Sequence, residues 1–453
     1  MNSIERRTVF ALGMVYATRM LGLFMILPVF ALYAEHLEAV TPFLIGIAIG
    51  IYGLAQAFLQ IPMGKWSDRI GRKPVIIIGL FVFALGSVVA ALADSIHGVI
   101  IGRALQGAGA IAAALMALAA DLTREKYRTR VMAMIGASIG ASFVIALVVG
   151  PILDQWVGVS GIFWITALLA IAGVVLVAIV VPSPQTQGFQ RDNQVVTGLI
   201  GNALRNGQLL RLDFGVFVLH MILTANFVVV PLMLRDLYGI PGAEHWQVYL
   251  PVLLVSLVLM IPIVLVAEKM QQAKSLLLAS VIMLVIVEGS LALVIPDFFW
   301  FAVLFTGFFW AFNFLEASLP SLVSKISPAG QRGTSMGVFS SSQFFGAFCG
   351  GAMAGLIVQY WGAQAVFGFS AGVLVLWLLI AQSMEQPESV GNRVLNVGKI
   401  DREQASELVT QFQQIMGVRE AVIVPEEGAV YLKVNRPQLD EAAIEKIVAT
   451  TAI

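Results

Sequence analysis

Long apolar segments alternate with short polar ones over the first 384 residues of the chain. A helix needs about 20 mostly apolar residues to cross the hydrocarbon core of a bilayer. The segments of this length lie near residues 9–33, 43–63, 74–93, 98–121, 131–153, 161–181, 212–234, 247–267, 275–295, 298–323, 334–358 and 364–383. The first is about 25 residues long and eleven more follow, so we interpret it as a retained span and not as a signal peptide. The pattern predicts an all-α membrane protein with twelve transmembrane helices.

The polar stretch 183–208 separates the spans into two groups of six. We predict an N-terminal bundle at 1–182, a linker at 183–208, a C-terminal bundle at 209–384 and a further domain at 385–453. A shift of about 200 residues aligns Ile61-Pro62 with Ile261-Pro262. Coincidence between compositionally similar helices is the alternative, but internal duplication is typical of transporters with a central site.

Short alternating segments replace the long apolar runs after residue 392. They predict strands at 393–398, 418–424 and 429–434 and helices at 401–416 and 437–449. This βαββα order looks like a small α+β ferredoxin-like domain. The domain has no Cys-x-x-Cys motif, which argues against metal capture. Regulation, self-association, binding of a protein partner or regulatory ligand, and a purely solubilising role remain open for it.

Composition excludes several classes of protein. Hydrophobic residues make up 59% of the chain and charged residues only 12%, which argues against a soluble enzyme. The 27 basic and 27 acidic residues balance, so nothing indicates a nucleic-acid partner. Cys349 is the only cysteine, so an intramolecular disulfide and a cysteine-based zinc site are excluded. We find no nucleotide-binding G-x-x-x-x-G-K-[ST] loop and no catalytic cluster, and we expect no metal or cofactor.

Basic residues fall almost entirely on one side of the predicted spans. With both termini in the cytoplasm, the cytoplasmic loops hold fifteen Lys and Arg residues and the opposite loops hold one, Arg235. Short basic loops stay in the cytoplasm, so we predict this orientation in a bacterial inner membrane.

One loop carries a recognisable motif. Residues 64–73, GKWSDRIGRK, place Gly64, Asp68, Arg69, Gly71 and Arg72 between spans 2 and 3. A basic loop that only sets topology is the plain alternative. The spacing G-x-x-x-D-R-x-G-R-K resembles the signature loop of the major facilitator superfamily, and the resemblance covers all twelve spans. It implies two pseudo-symmetric six-helix bundles that transport a solute by alternating access.

Span 4 and span 5 refine this resemblance. Span 4 contains Arg103 in RALQGAGA, similar to a family motif whose arginine is associated with proton coupling. Span 5 ends in Gly150-Pro151, as in the drug antiporter branch, although Ala137 and Ala146 replace two of the expected glycines. The C-terminal domain is similar in order and position to the YAM domain of one branch of the superfamily.

Five ionisable side chains lie well inside the predicted spans, away from their ends: Arg19, Arg103, His220, Glu288 and Glu316. A charge in the bilayer centre costs at least about 2.5 kcal/mol, so each needs a partner or a wet cavity. In the superfamily, spans 1, 4, 7 and 10 line the cavity, which implies proton-coupling roles for all except Glu288. A hydrogen bond to a neighbouring helix or a lipid-interface position is the alternative for Glu288.

Helix rise places two of these groups at similar depth. His220 and Glu316 lie eight and seven residues inside the predicted ends of spans 7 and 10, which corresponds to about 12 Å and about 10 Å. We predict that they form the proton-carrying pair. A purely structural hydrogen bond between them is the alternative.

A second charged group lies at the cytoplasmic ends of the helices. We predict a conformational switch that consists of Gly64, Asp68, Arg69, Gly71, Arg72 and Asp121. The N-terminus of span 11, near Gly333-Thr334, presents about half a positive charge. Asp68 is expected to approach it when the cytoplasmic side closes, and an intraloop salt bridge to Arg72 is the alternative.

The remaining polar side chains of the spans suggest a solute site. Together with Phe227, Phe312 and Phe314, they predict a mostly apolar pocket that suits an amphipathic organic molecule. The candidates are Gln56, Gln60, Gln106, Asn226, Asn313 and Gln343. Many side chains of this kind instead join helices by hydrogen bonds.

These features predict a secondary transporter that exports a small organic solute in exchange for protons. Its partners are then the lipid bilayer, the solute and protons, and its energy source is the proton gradient. A proton-linked importer or a uniporter of the same fold is the nearest alternative. A membrane sensor that signals through the C-terminal domain is the alternative of another class.

Overall fold

The computed structural model describes residues 3–182, 195–270, 272–386, 391–398, 400–425, 428–435 and 438–451. The N-terminal half forms α1 (Ser3–Phe24), α2 (Leu27–Ala34), α3 (Pro42–Ile70), α4 (Arg72–Ala91), α5 (Ile96–Ala108), α6 (Ala112–Asp121) and α7 (Glu125–Ile179). The C-terminal half forms α8 (Ile200–Ala203), α9 (Gly207–Asp236), α10 (Trp246–Met270), α11 (Ala273–Leu293), α12 (Phe298–Ile326), α13 (Arg332–Trp361) and α14 (Ala363–Gln382). Most of the predicted linker, residues 183–194, lies outside the described residues.

The helices account for twelve membrane crossings. Eleven stretches among the described residues are long and apolar enough to cross a membrane. One of them, Arg130–Ile179, has 50 residues and bends at Gly158, whose φ of 67° is not helical. Because a single crossing needs only about 20 residues, this stretch contains two spans. The predicted major facilitator architecture is confirmed.

Two spans are interrupted near their middle. Span 1 consists of α1 and α2, with a break at Met25 and Ile26 just before Pro28. Span 4 consists of α5 and α6, and its break follows Gly109. Such breaks free backbone carbonyl groups inside the membrane, where other groups must satisfy them. The carbonyl of Gly109 accepts a hydrogen bond from Arg19, as described below.

Residues 64–73 lie at one end of the molecule, which we call the basic face. We call the other end the opposite face.

The two bundles meet most closely where α3 crosses α13. Gly46 and Gly50 of α3 approach the backbone of α13 so closely that a Cβ at Gly46 would lie 2.0 Å from the carbonyl oxygen of Gly351. Glycines four residues apart permit this approach between helices. The crossing lies in the half of both helices nearer the opposite face.

An ion pair adds to the closure of the opposite face. Arg235, at the end of α9, donates to both carboxylate oxygens of Glu35, which follows α2, at 2.5 and 3.1 Å. The backbone N–H of Phe43 also donates to the side chain of Gln359, at 3.3 Å. These contacts join the two bundles, so the molecule is closed at the opposite face.

Aromatic side chains of α12 form the centre of the C-terminal bundle. Phe301, Phe305, Phe308 and Phe309 are buried, and the ring centroids of Phe305 and Phe309 lie 4.9 Å apart in an edge-to-face contact. Such pairs contribute about 0.5–1.5 kcal/mol beyond the area they bury. The row continues to Phe312, whose ring contacts His220. The aromatic packing therefore fixes one wall of the site described next.

The C-terminal domain has the predicted βαββα order. It contains β1 (Gly391–Asn396), α15 (Arg402–Gln413), β2 (Val418–Val424), β3 (Ala429–Val434) and α16 (Glu441–Thr451). The strand order is β1-β3-β2, and both outer strands run antiparallel to β3. α15 begins with a capping box in which Asp401 and Gln404 satisfy each other's backbone N–H groups. The ferredoxin-like assignment stays a prediction.

Candidate functional site

Three polar side chains from different helices meet inside the C-terminal bundle. His220 lies on α9, Glu316 on α12 and Gln343 on α13. The Nε2 atom of His220 lies 3.6 Å from Oε2 of Glu316. The side-chain amide nitrogen of Gln343 lies 2.7 Å from Nε2 of His220 and 3.3 Å from Oε1 of Glu316. The structure thus brings together the two residues predicted as a pair and adds Gln343, predicted as a cavity residue, between them.

Hydrogen bonding assigns a proton arrangement to this triad. The Nδ1 atom of His220 lies 3.2 Å from the carbonyl oxygen of Val216, which only accepts, so Nδ1 carries the proton. The unprotonated Nε2 then accepts one N–H of Gln343, whose second N–H is donated to Glu316. If Nε2 takes up a proton, it can no longer accept from Gln343, so the amide has to turn or withdraw before Nε2–H is donated to Glu316, whose Oε2 lies 3.6 Å away. Protonation of the imidazole would therefore rearrange the hydrogen bonds of the triad.

The triad lies deep in the bundle and is nevertheless accessible. The structure extends the helices beyond the predicted spans, so His220 lies 13 residues after the start of α9 and Glu316 lies 10 residues before the end of α12. These separations correspond to about 20 Å and about 15 Å along the helices, more than the sequence indicated. The side chain of Glu316 is 40% exposed and that of His220 is 13% exposed. Glu316 lies against α9 and α13, on the side of the α3–α13 crossing that is nearer the basic face.

A buried carboxyl on α9 was missed by the sequence analysis. Asp213 is 6% exposed, and its Oδ1 atom has no hydrogen-bond partner among the described residues. It precedes His220 by seven residues, which places both on one face of α9, with Asp213 nearer the basic face. Its position near the edge of a predicted span made it resemble a residue at a helix end. The apolar residues on both sides of it, Leu212 and Phe214, were the available signal.

Arg19 and Arg103 lie in a separate polar cluster inside the N-terminal bundle. Arg19 donates to the side chain of Gln56 at 2.8 Å and to the freed carbonyl of Gly109 at 3.0 Å. Arg103 donates to the carbonyls of Ala48 and Ile49 of α3 at 3.3 and 3.2 Å. Both guanidinium groups are at most 2% exposed. Arg103 therefore fastens α5 to the helix that crosses α13.

Three of the four glutamines predicted to line the solute cavity, Gln56, Gln60 and Gln106, belong to this cluster. Gln106 accepts from Arg103 at 3.0 Å and donates to Ser87 at 2.8 Å. Gln56 accepts from Arg19 and donates to Gln60 at 3.3 Å. All three side chains are at most 5% exposed. In this conformation Gln56 and Gln106 join neighbouring helices, Gln60 bonds to Gln56 of its own helix, and all three are buried away from a solute.

Two further residues predicted for the cavity also join helices. Asn226 is buried and donates its amide to Glu288 of α11 at 2.8 Å, which is the interhelical alternative considered for Glu288. Asn313 is partly buried and donates to Ser256 of α10 at 3.3 Å. Phe227, Phe312 and Phe314 are at most 4% exposed. Of the predicted polar lining, Gln343 is the residue that lies beside the exposed Glu316.

The predicted switch residues cluster around a buried arginine at the basic face. Arg72, 3% exposed, forms a salt bridge with Asp68 and a second one with Asp121 at 3.3 Å. It also donates to the hydroxyl of Ser67 at 2.8 Å. Gly71 precedes α4 with φ 105°, a conformation that residues with a Cβ rarely adopt. The intraloop salt bridge considered for Asp68 is therefore the arrangement in this conformation.

Other residues cover the N-terminus of α13. The backbone N–H of Val196, from the segment before α8, donates to the hydroxyl of Thr334 at 3.0 Å. The side chain of Val195 lies so close to Gly337 that a Cβ there would be 2.6 Å away. The switch hypothesis expects Asp68 to approach the first turn of α13. In this conformation residues 195–196 cover that turn instead.

Span 5 packs closely on the break in span 1. A Cβ at Gly150 would lie 2.4 Å from the carbonyl oxygen of Met25 and 3.3 Å from Pro28. The glycine of the Gly150-Pro151 motif therefore permits direct contact with the interrupted helix. By contrast, a Cβ at Gly136 or Gly140 of the same span would meet nothing within 4 Å.

Comparisons with known proteins agree with this architecture. The family model described as Major Facilitator Superfamily matches residues 12–315 and 212–398. "Inner membrane transport protein YajR" of Escherichia coli is 44% identical over 445 residues, covering 98% of this chain and 97% of that protein. "Multidrug resistance protein MdtH" of Aeromonas salmonicida is 26% identical over 373 residues, covering 80% of this chain and 91% of that protein.

Solved structures show the same fold at low sequence identity. A bacterial homologue of the human lysosomal transporter Spinster, in an inward-facing and occupied conformation, superposes with a TM-score of 0.68 at 12% identity. That comparison covers 84% of this chain and 97% of the other. The human organic anion transporter MFSD10 superposes with a TM-score of 0.62 at 18% identity, covering 84% of this chain and 100% of the other.

Proposed function

Because the chain belongs to the Major Facilitator Superfamily, we propose that it exports a small amphipathic organic solute across the inner membrane in exchange for protons. It is a multi-pass membrane transporter and not an enzyme. The observation that carries the proposal is the partly exposed Glu316 beside His220 and Gln343 of the C-terminal bundle, which we propose to line the solute cleft. The proton gradient is the energy source, and no cofactor takes part.

We place the basic face in the cytoplasm, with both termini, because basic loops are retained there. In the present conformation Glu316 then communicates with the cytoplasm. Protons enter from the more acidic outside when the opposite face is open, bind the Glu316–His220 pair, and leave when the basic face is open. The solute binds from the cytoplasm in the same cleft and travels in the other direction.

Exchange requires that the proton and the solute compete for the empty, ionised site. Moving an unpaired charge through the membrane region is costly, so a protonated or solute-occupied site changes sides more readily than an ionised, empty one. Asp213 supports a route for the proton between this pair and the basic face, because it lies on the same face of α9. The aromatic wall beside His220 favours an apolar portion on the solute.

The buried arginines have a different part in this proposal. An arginine stays charged at any accessible pH, so Arg19 and Arg103 act by position and charge and not by releasing protons. Arg103 links span 4 to α3, and Arg19 holds the break in span 4. Arg103 therefore transmits any movement of span 4 to α3, the helix at the interface between the bundles.

The direction of transport can be tested in proteoliposomes with the basic face outward. A panel of amphipathic aromatic compounds is first screened for a rise in the melting temperature of the protein, and the best compound is radiolabelled. A lumen more acidic by one pH unit should concentrate it inside by up to about tenfold for a one-to-one exchange. Accumulation driven by external acid would identify an importer instead. Flux that ignores the pH gradient would identify a uniporter, and either result contradicts export by exchange.

The charged cluster at the basic face is proposed to act as a switch. Asp68 leaves Arg72 and reaches the N-terminus of α13 when the basic face closes, where it interacts with the positive end of the helix dipole. Gly64, Arg69 and Gly71 shape the loop that carries it, while Asp121 retains Arg72.

Two substitutions should separate the structural and switching roles of this cluster. Arg72→Met removes the buried arginine that pairs with Asp68 and Asp121, and breaking a buried ion pair costs roughly 3–5 kcal/mol, which should lower the melting temperature by about 10 °C. Asp68→Asn should retain stability but lower the population that is closed at the basic face, measured by spin-label distances between the bundles. Lys65→Met, which replaces an exposed lysine of the same segment with no assigned part in the switch, is the control. Equal melting temperatures for Arg72→Met and Lys65→Met would contradict the structural assignment.

A further inference from the structure

The sheet of the C-terminal domain has two apolar faces. Its inner face, which includes Val430 and Leu432 of β3, packs with Phe412 of α15 and Ile444 of α16. Its outer face carries Tyr431 in the centre, with Val394 of β1 and Val422 of β2 directly opposite it on the neighbouring strands. A three-stranded sheet with helices on one side normally leaves its other face to water and makes it polar. The apolar outer face therefore needs a partner.

The loop between α12 and α13, residues 327–331, is that partner. Ala329 is 3% exposed and forms a cluster with Val424, Ala429 and Tyr431 of the outer face. Gly330 has φ 70°, and a Cβ at this position would lie 3.4 Å from the ring of Tyr431. Tyr431 itself is 1% exposed. The loop thus closes over the ring.

Two polar contacts fix the orientation of this docking. The Nζ atom of Lys433 lies 3.1 Å from the carbonyl oxygen of Ile326 and 3.3 Å from that of Ser327. These carbonyls end α12, where the helix dipole favours a positive charge. Glu420, opposite Lys433 in the sheet, accepts a hydrogen bond from the backbone N–H of Ala329 at 3.1 Å. The lysine and the glutamate thus bind adjacent segments of one loop.

The docked loop joins the two helices that carry Glu316 and Gln343. It ends directly before Arg332, the first residue of α13. The first turn of α13 is also covered by Val195 and Val196. To close the basic face, the N-terminal bundle must approach the first turn of α13. In this conformation the C-terminal domain and residues 195–196 lie around that turn.

We propose that docking of the outer sheet face on residues 327–331 is a conformational brake that holds the basic face open. While docked, the domain fixes the ends of α12 and α13 and keeps residues 64–73 away from α13. Release of the domain frees this end and lets the two bundles close. The proposal rests on alternating access, but it depends neither on proton coupling nor on the direction of transport.

Spin-label distances in the full-length protein test the brake. In a Cys349→Ser background, labels at Lys65→Cys and Gln272→Cys report the distance between bundles at the basic face. A second pair, Gln272→Cys with Gln414→Cys, reports whether the C-terminal domain has left the loop. The test variant combines Lys433→Met with Glu420→Met and so removes the polar docking contacts without altering the apolar core of the domain, since neither methionine side chain can donate to a carbonyl or accept strongly from a backbone N–H. Arg393→Met is the matched control, since Arg393 pairs with Glu441 within the domain at 3.3 Å.

We expect the test variant to release the domain and to raise the closed population at the basic face at least about fivefold, because it loses the three hydrogen bonds that Lys433 and Glu420 make with residues 326, 327 and 329. The control should match the parent in both distances. If the domain leaves the loop and the distance between bundles keeps the parental distribution, docking is not a brake. If the domain stays on the loop in the test variant, the contacts of Lys433 and Glu420 do not hold it, and the proposal is equally overturned.

Discussion

Replacing Glu316 with Gln is expected to remove the pH-driven accumulation of solute completely, from about tenfold per pH unit to no gradient. The substitution preserves the shape of the side chain, and its amide oxygen can still accept from Gln343 as Oε1 of Glu316 does. It removes only the ability to take up and release a proton. Exchange of labelled for unlabelled solute at equal pH, which moves no net proton, should continue.

The combination of lost accumulation and retained exchange distinguishes proton coupling from a structural role. If Glu316 only held helices together, Glu316→Gln would either leave both activities unchanged or reduce both. Glu244→Gln, which alters an exposed glutamate after α9, is the matched control and should retain full accumulation. Asp213→Asn should slow the exchange of protons at the basic face without abolishing accumulation, because Asp213 lies beside the route and not at the pair. Unchanged pH dependence in Glu316→Gln would remove Glu316 from the mechanism.

The membrane architecture could be predicted from the sequence because it depends on one strong constraint. Backbone groups within a bilayer must be paired inside their own segment, so each apolar run of sufficient length becomes a helix. A charged side chain inside the bilayer also needs a partner, so the few charges within the spans stand out. His220 and Glu316 could be predicted as a pair because they lie at similar depth. The helix breaks after Phe24 and Ala108 were not predicted, since both interrupted spans remain apolar throughout the break.

The sequence was less informative about which polar side chains face the cleft. Gln56, Gln60 and Gln106 were predicted as lining because glutamine suits both hydrogen bonding to a solute and helix contacts. Which of these it does depends on the rotation of each helix within its bundle, and the hydrophobic pattern of a helix buried on most sides defines that rotation poorly. The structure turns these three toward the arginines of their own bundle.

The contact between the outer sheet face of the C-terminal domain and residues 327–331 corresponds to a feature of the sequence. The strand 429–434 is apolar at both alternating sets of positions up to Leu432, as in strands that are buried on both faces. This pattern could have indicated a second partner for the strand, but no such partner was predicted from the sequence. The pattern did not indicate which loop supplies that partner, because contacts between distant segments depend on the complete fold.

Replacing Gly46 with Val is expected to reduce transport by about a hundredfold by preventing closure of the opposite face. A Cβ at Gly46 would lie 2.0 Å from the carbonyl oxygen of Gly351, and Gly351 and Gly355 leave no flexible side chain there to move aside. The backbones of α3 and α13 would have to separate, and the dispersion contacts of this closely packed crossing would be lost with them. The fold of each bundle should remain, because this contact lies between the bundles.

Distances at the opposite face should show the predicted defect directly. Spin labels at Glu38→Cys and Glu244→Cys, in the Cys349→Ser background, should report a longer distance in Gly46→Val than in the parent. Gly289→Val is the matched control, because a Cβ at Gly289 of α11 would meet nothing within 4 Å. Gly350→Val provides a contrast: its Cβ would lie 2.0 Å from the carbonyl oxygen of Met221 within the same bundle, so it should lower the melting temperature in every conformation. If Gly46→Val kept the parental distance and rate, the close crossing of α3 and α13 would not be needed for closure. Alternating access would then have to use another contact at that face.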